Sequence, residues 1–463
     1  MGDLFTSLTS ASRALDAQRY GLDVAGQNIA NVNTPGYTRQ APEFAPVPPD
    51  SYYKLGLGGG VSITGVHAFR DRFIETRLTT EASNTGSLQA QRDALGQVEQ
   101  VFNDTSGNGI ADQLNKFFGA FSKLASDPSS LPLRATVVQS GQNLAATFRD
   151  TYDQLQNIRR GIDAQVAPAI SQINDLATQI ARLNNDITRA QFANGNADAQ
   201  IDQRQQAINK LAELAPVRIT ATEDQQLTVS IGNGQALVVS DRALPLSTST
   251  GADGQTHIFS GTTDITTEIQ GGRLGGLISV RDQRISALSG ELDNLASAVI
   301  AKVNQVHTGG QDLTGAAGGN FFAPTPAGAS AAATFTVDAG IASDARKVAA
   351  AAVGAGPGDN TNARALADIA RTSLTAGSRT GTPSEIHAQI VGDVGSLVAS
   401  VDSESQTQGA IAAQLQNQRD QVSGVSLDEE AISLLQYQRS FQAAARFISV
   451  ADQLTQTVLE LAR

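Results

Sequence analysis

With 463 residues, 40% of them hydrophobic, the chain is long enough for roughly two to four domains with real cores and too apolar for wholesale disorder. Its net charge of -12 argues against nucleic acid and anionic membrane as partners, since both need clustered Lys and Arg. The lack of any cysteine excludes disulfides, zinc–thiolate sites and thiol nucleophiles, and no run approaches the ~18 apolar residues of a membrane span.

From Leu4 onward, apolar positions fall in two interleaved seven-residue series: Leu8, Leu15, Leu22 and Ile29 in one, Leu4, Ala11, Gln18 and Ala25 in the other. That period predicts a helix with a coiled-coil seam of about four heptads. Its polar faces carry Ser, Thr, Gln and Asn more than charge. Asn31, Val32, Asn33, Thr34, Pro35, Gly36 and Tyr37 then stop the helix. Asn tolerates the left-handed conformation of a helix end, and Pro35 bars Thr34 from helix. Residues 37–69 hold four prolines and the alternating Val61-Ser62-Ile63-Thr64-Gly65-Val66, which predicts an extended, hairpin-like connector. Helical patterns follow over 71–102, 110–124 and 133–192, the last expected to kink or divide at Pro168. A further helix over 199–214 ends before Pro216.

At Val217 the texture turns to short β-rich segments, 227–231, 236–239 and 257–259, with Gly232-Asn233-Gly234 as a hairpin turn. Helix returns over 274–307, a loop rich in Gly, Ala and Pro fills 309–333, and a short strand lies at 335–337. Capping boxes at Thr382-Pro383-Ser384-Glu385 and Ser426-Leu427-Asp428-Glu429 open two more helices. The final apolar stripe runs through Leu427, Ala431, Leu434, Phe441, Ala445, Ile448 and Leu459, broadened by Leu435, Phe447 and Leu454. The fold class expected is mainly α with an inserted β domain. Terminal helices pair as a coiled coil (1–36 with 425–463), followed by a connector (37–69), a long-helix bundle body (70–216 with 271–424) and a small outer β domain (217–270).

The segment Asn28 to Tyr37 resembles the N-terminal signature of the flagellar axial proteins, which comprise rod, hook and hook-associated proteins. Residues 423–463 resemble the C-terminal signature of the hook-associated branch, and 271–285 and 301–322 agree with that branch. The resemblance implies an inner layer of paired terminal helices, a helical layer outside it and outer β domains. This chain lacks the long β-rich insertion that larger members carry after Phe322, so one outer domain is expected. The resemblance further implies a structural adaptor, not an enzyme, that joins hook to filament and assembles as a ring. Its assembly seam would be Leu8, Leu15, Leu22 and Ile29 with Leu427, Leu434, Phe441 and Ile448. Implied partners are further copies of itself, the hook protein, the next hook-associated junction protein and an export chaperone on the C-terminal helix. The implied location is the extracellular flagellum, reached without a cleaved signal peptide, and MGDLFTSLTS lacks both the basic and the apolar region of one. A hook or rod protein is the nearest alternative; a cell-wall glycan hydrolase is a remote one that no stretch resembles.

No catalytic, cofactor or metal site is expected. His67, His257, His307 and His387 stand far apart and read as structural or surface residues. Asp104-Thr105-Ser106-Gly107-Asn108-Gly109 imitates a calcium loop, but Asn115 holds the twelfth position, where a bidentate Glu is needed. For the terminal heptads, pattern alone leaves a private coiled coil and assembly between subunits equally open. Low charge on the exposed face favours assembly, because identical packed helices must avoid like-charge repulsion.

Overall fold

The structure, a computed structural model, describes residues 2–48, 59–103, 107–193, 195–221 and 226–461. The side chains of Leu4 and Leu459, and residues 104–106 of the calcium-like segment, lie outside them. In chain order, α1 (Gly2–Ala30) leads through the antiparallel ribbon β1 (Gln40–Pro46) and β2 (Val61–Ala68) to α2 (Arg72–Phe102), α3 (Ile110–Leu124), α4 (Leu131–Asp163), α5 (Val166–Phe192) and α6 (Asp198–Leu214). Seven short strands follow: β3 (Val217–Ala221), β4 (Leu227–Ile231), β5 (Gln235–Val239), β6 (Arg242–Ala243), β7 (Leu246–Thr250), β8 (Thr256–Ser260) and β9 (Thr263–Asp264). Then come α7 (Gly272–Ser279), a π-helical turn at Val280–Arg284 and α8 (Ile285–Thr308). The last third holds β10 (Gly310–Gln311), α9 (Ala339–Ser343), β11 (Ala351–Ala352), α10 (Thr361–Asp368), β12 (Leu374–Ala376), β13 (Arg379–Gly381), α11 (Pro383–Ser423) and α12 (Leu427–Leu461).

The fold is mainly α with small antiparallel sheets, and its terminal helices pair with each other. Local chemistry accounts for the boundaries. Pro168 sits in the first turn of α5, so the long helical stretch divides at Ala164–Gln165, where the ring has no preceding turn to clash with. At the start of α11, the Thr382 N–H donates to Glu385 Oε2 at 2.9 Å and the Glu385 N–H to Thr382 Oγ1 at 3.3 Å, the reciprocal pair of a capping box.

The chain folds into two compact units, one of residues 1–84, 171–246 and 408–463, the other of 85–170 and 247–407. The stretch 217–270, expected as one small β domain, is built as two sheets, β3-β4-β5-β6 and β7-β8-β9. The first lies in the first unit and the second, from Ser247 on, in the other. Buried side chains from different helices explain the split. Asn184 of α5 donates to the carbonyls of Leu227 and Ser240 at 2.9 and 2.6 Å, and accepts from the buried Arg204 at 2.8 Å. Burial, with Arg70 adding to it, pulls the Arg204 guanidinium down to about 10. In the other unit, Asp163 at the end of α4 accepts from the N–H and hydroxyl of Thr256, and the buried Arg281 donates to the Thr256 carbonyl.

The second unit carries the main core. Phe117, Phe121, Phe148, Phe321, Phe322 and Phe335 are all fully buried. Their rings meet at tilted or edge-on angles, with centroids 4.7 Å apart for Phe322 and Phe335 and 5.0 Å for Phe148 and Phe335. His307 packs edge-on against Phe321, its Nδ1 2.7 Å from the Gly319 carbonyl and its Nε2 accepting the Ala349 N–H at 2.9 Å. The ring is therefore neutral with its proton on Nδ1.

Candidate assembly site

α1 and α12 run antiparallel along each other. Asn28 near the end of α1 is bonded to Glu430 near the start of α12, and two turns away Gly21 faces Tyr437. The closest part of the seam is made of small residues: Ala11, Ala17, Gly21, Val24 and Ala25 on α1 are buried, as is Ala451 on α12. A Cβ at Gly21 would lie 2.7 Å from the Tyr437 ring, so only glycine allows this approach. A leucine there should force the helices apart, and protease protection of both ends should drop while the phenylalanine core of the second unit melts unchanged.

Leu434, Phe441 and Ile448 lie on the packed side of α12 and are partly buried, while Leu427 is 52% exposed in its first turn. Leu8, Leu15, Leu22 and Ile29 form a partly exposed flank of α1. The opposite side of α12 is also apolar. Ile432 and Leu435, one turn apart, and then Phe447, Val450, Leu454 and Val458 at three- and four-residue steps are all exposed, Ile432 at 66%. The helix therefore carries two apolar faces, one packed on α1 and one bare.

A polar clasp fastens the pair at its closed end. The buried Asn28 uses its full amide capacity: Nδ2 donates to the Gln40 carbonyl (2.8 Å) and Glu430 Oε2 (3.0 Å), and Oδ1 accepts from the Tyr37 hydroxyl (2.9 Å) and the Gln40 N–H (3.1 Å). Arg39 adds Glu430 at 2.8 Å and Glu429 at 2.7 Å, and its N–H donates to the Ser423 carbonyl. Thr38 donates through its N–H and hydroxyl to Asp202 on α6, and Arg70 bonds both Asp198 and Asp202. Burial, then the carboxylates of Asp202, Glu430 and Asp198, push the Tyr37 phenol up to about 12, so it stays a donor. Burial also raises the Glu75 carboxyl, against the pull of Arg419 beside it.

The motif's other residues shape the turn. Asn31 donates to the Gln27 carbonyl at 3.0 Å and accepts from the Thr34 hydroxyl at 3.1 Å; Asn33 is exposed. Gly36 adopts φ 77°, and the Pro35 carbonyl before it accepts from Gln206 Nε2 at 2.6 Å. The structure thus brings Asn28, Asn31, Thr34, Pro35, Gly36 and Tyr37 into one junction, together with Arg39, Arg70, Asp198, Asp202 and Glu430, which the sequence reading missed. No local pattern could pair Asn28 with a carboxylate 402 residues away. The one available hint was a run of polar residues at the family motif.

Elsewhere, among the described residues no group of three or more His, Cys, Asp or Glu is placed to hold a metal. His67 lies edge-on to Phe69. His257 is flanked by Asp264 at 2.6 Å and Asp253 at 3.3 Å, and the hydrogen bond to Asp264 raises its pKa. No helix among the described residues is long and apolar enough to cross a membrane.

Comparison with known proteins agrees with this architecture. Residues 95–322 match the flagellar hook-associated protein FlgK helical domain, 416–461 the flagellar basal body rod FlgEFG protein C-terminal region, and 8–38 the flagella basal body rod protein family. The chain is 28% identical over 509 aligned residues to flagellar hook-associated protein 1 of Bacillus subtilis, covering 99% of this chain and 98% of that one. It is 25% identical to the Escherichia coli protein of the same name, covering 98% and 99%. In fold it resembles the flagellar hook junction protein FlgK from Burkholderia pseudomallei, with a TM-score of 0.67 at 17% identity over 75% of this chain and 100% of that one. With end-to-end similarity to these relatives, three axial-protein matches in the family's order and terminal helices clasped through the axial motif, the chain belongs to the flagellar hook-associated protein 1 family.

Proposed function

We propose that the chain is the structural adaptor between flagellar hook and filament, and that it assembles as a ring through its terminal helices. The observation that carries this is the second apolar face of α12, left bare when the first is packed on α1. A helix exposing Leu435, Phe447, Val450 and Leu454 on one side gains only when a neighbour covers them. The partly exposed Leu8, Leu15, Leu22 and Ile29 supply a matching apolar flank on the other helix. In this reading residues 1–36 with 425–463 form the inner layer, the hook protein lies on one side and the next junction protein on the other. The same bare face calls for an export chaperone on the C-terminal helix before assembly.

Phe447→Asp with Val450→Asp tests the reading. Both residues are exposed in the monomer, so its stability should shift by less than about 0.5 kcal/mol. Buried in an assembly, each charge costs several-fold more, roughly 2 kcal/mol or above. The doubly substituted protein should melt like the wild type, yet leave a deletion strain with hooks bare of filaments under the electron microscope. Filaments of normal number would remove the bare face from assembly and the reading with it.

A further inference from the structure

Resting on assembly through the terminal helices, we propose that neighbouring copies lock α1 to α12 through a two-rung charge ladder, Asp16 to Arg446 and Asp23 to Arg439. Each of these four side chains is exposed, and none makes a side-chain hydrogen bond or ion pair among the described residues. Arg19, Asp428 and Glu460 on the same two helices are likewise without one, so lack of a partner does not by itself set the four apart. Their spacing is the informative part. Asp16 and Asp23 are seven residues apart, as are Arg439 and Arg446, so each pair projects from one face of its helix two turns apart. Each acid directly follows a partly exposed leucine, Leu15 or Leu22, and Arg446 directly precedes the exposed Phe447. The charges therefore border the apolar strips that a neighbour must cover.

Charge sign selects the partner. Contact between two copies of α1 would oppose acid to acid, and contact between two copies of α12 would oppose arginine to arginine. Only α1 of one copy against α12 of the next is complementary. That is a heterologous contact, which propagates into a ring or helix instead of closing a dimer.

The register follows from arithmetic. Within one chain, residues at the same level sum to 458, as Asn28 with Glu430 and Gly21 with Tyr437 show. Copies in one tube point the same way, so the contact between them is also antiparallel. Both rungs then sum to 462 and form together. Successive copies are thereby staggered by four residues, about 6 Å along the helix axis at 1.5 Å per residue. Of the other α1 cations, Arg13 is bonded to the Gly59 carbonyl, and Arg19 comes level with Ala443 and meets no like charge.

Two variants expressed in a deletion strain test the pairing. Asp16→Lys with Asp23→Lys, and separately Arg439→Glu with Arg446→Glu, should each fold as wild type, since all four positions are exposed, and each should cut filament-bearing hooks about tenfold or more. Co-expressed, the two should restore filaments, because each variant's reversed helix complements the other's. Normal filaments from either variant alone would overturn the ladder. So would two defective variants that fail to rescue each other. The broader assembly reading is judged separately by Phe447→Asp with Val450→Asp, whose tolerance would sink that reading whatever the charges do. Because the chain has no cysteine, the register has its own readout. Asp16→Cys with Arg446→Cys should give an oxidised ladder of multimers from sheared flagella, whereas Asp16→Cys with Gln442→Cys, level without the stagger, should give none. The reverse result would overturn the 6 Å offset.

Discussion

Asn28→Asp, which exchanges one amide nitrogen for oxygen, is expected to part the terminal helices at neutral pH. The new oxygen would face the Gln40 carbonyl and the Glu430 carboxylate where two donated hydrogen bonds now stand. Asn28 and Glu430 are 1% and 3% exposed, so water cannot screen the two carboxylates. Losing both buried bonds and opposing two negative charges should cost about 4 kcal/mol, within the range seen when one member of a buried charged network is broken. Asn28→Ala, which strands the same partners without adding a charge, should cost about half as much. Limited proteolysis should release α1 and α12 from the aspartate variant while the second unit stays intact, and motility should be lost. Lowering the pH toward the ordinary carboxyl range, about 4, should partly restore protection relative to wild type at the same pH, because a protonated carboxyl can donate again. An aspartate variant as resistant as wild type at pH 7 would show that the clasp does not hold the ends.

The second large effect is acid destabilisation of the other unit through His307. Its imidazole is fully buried, and burial drives it from the ordinary 6.5 down to about 4, with the Gly319 carbonyl opposing the fall and Arg134 adding to it. The folded ring is neutral and accepts the Ala349 N–H, a role that protonation abolishes. Between pH 6.5 and about 4 the unfolded chain holds a proton that the folded chain refuses. Stability from this group is therefore complete above 6.5 and falls as the pH drops, levelling off below about 4. The fall should amount to about 3 kcal/mol over that interval. Denaturant titration of the wild type across this range should show it. His307→Gln, which keeps a donor and an acceptor but cannot titrate, should flatten the curve. An unchanged pH dependence in that variant would assign the effect to other groups.

What the sequence alone determined lies where the physics is local. Heptad spacing required an amphipathic helix at each end, the Pro35-Gly36 turn ended α1, Pro168 divided the long helical stretch, and the Thr382–Glu385 capping box and the Ser426 cap opened α11 and α12 where they stand. Each depends on neighbours within a few residues, so each is written in the order of residue types. The tertiary structure decided everything that needed two distant segments. Two apolar series compete on α1, and the one carrying Ala11 and Ala25, not Leu8 and Leu15, turns inward, because close approach to the Tyr437 ring needs small residues. The β-rich stretch became two sheets because Asn184 and Asp163, on different helices, each bind one of them. Asn28 became the centre of the clasp only once Glu430 arrived from the far end of the chain. Periodicity reports which residues can share a face, but which face is covered depends on the shape of whatever packs against it.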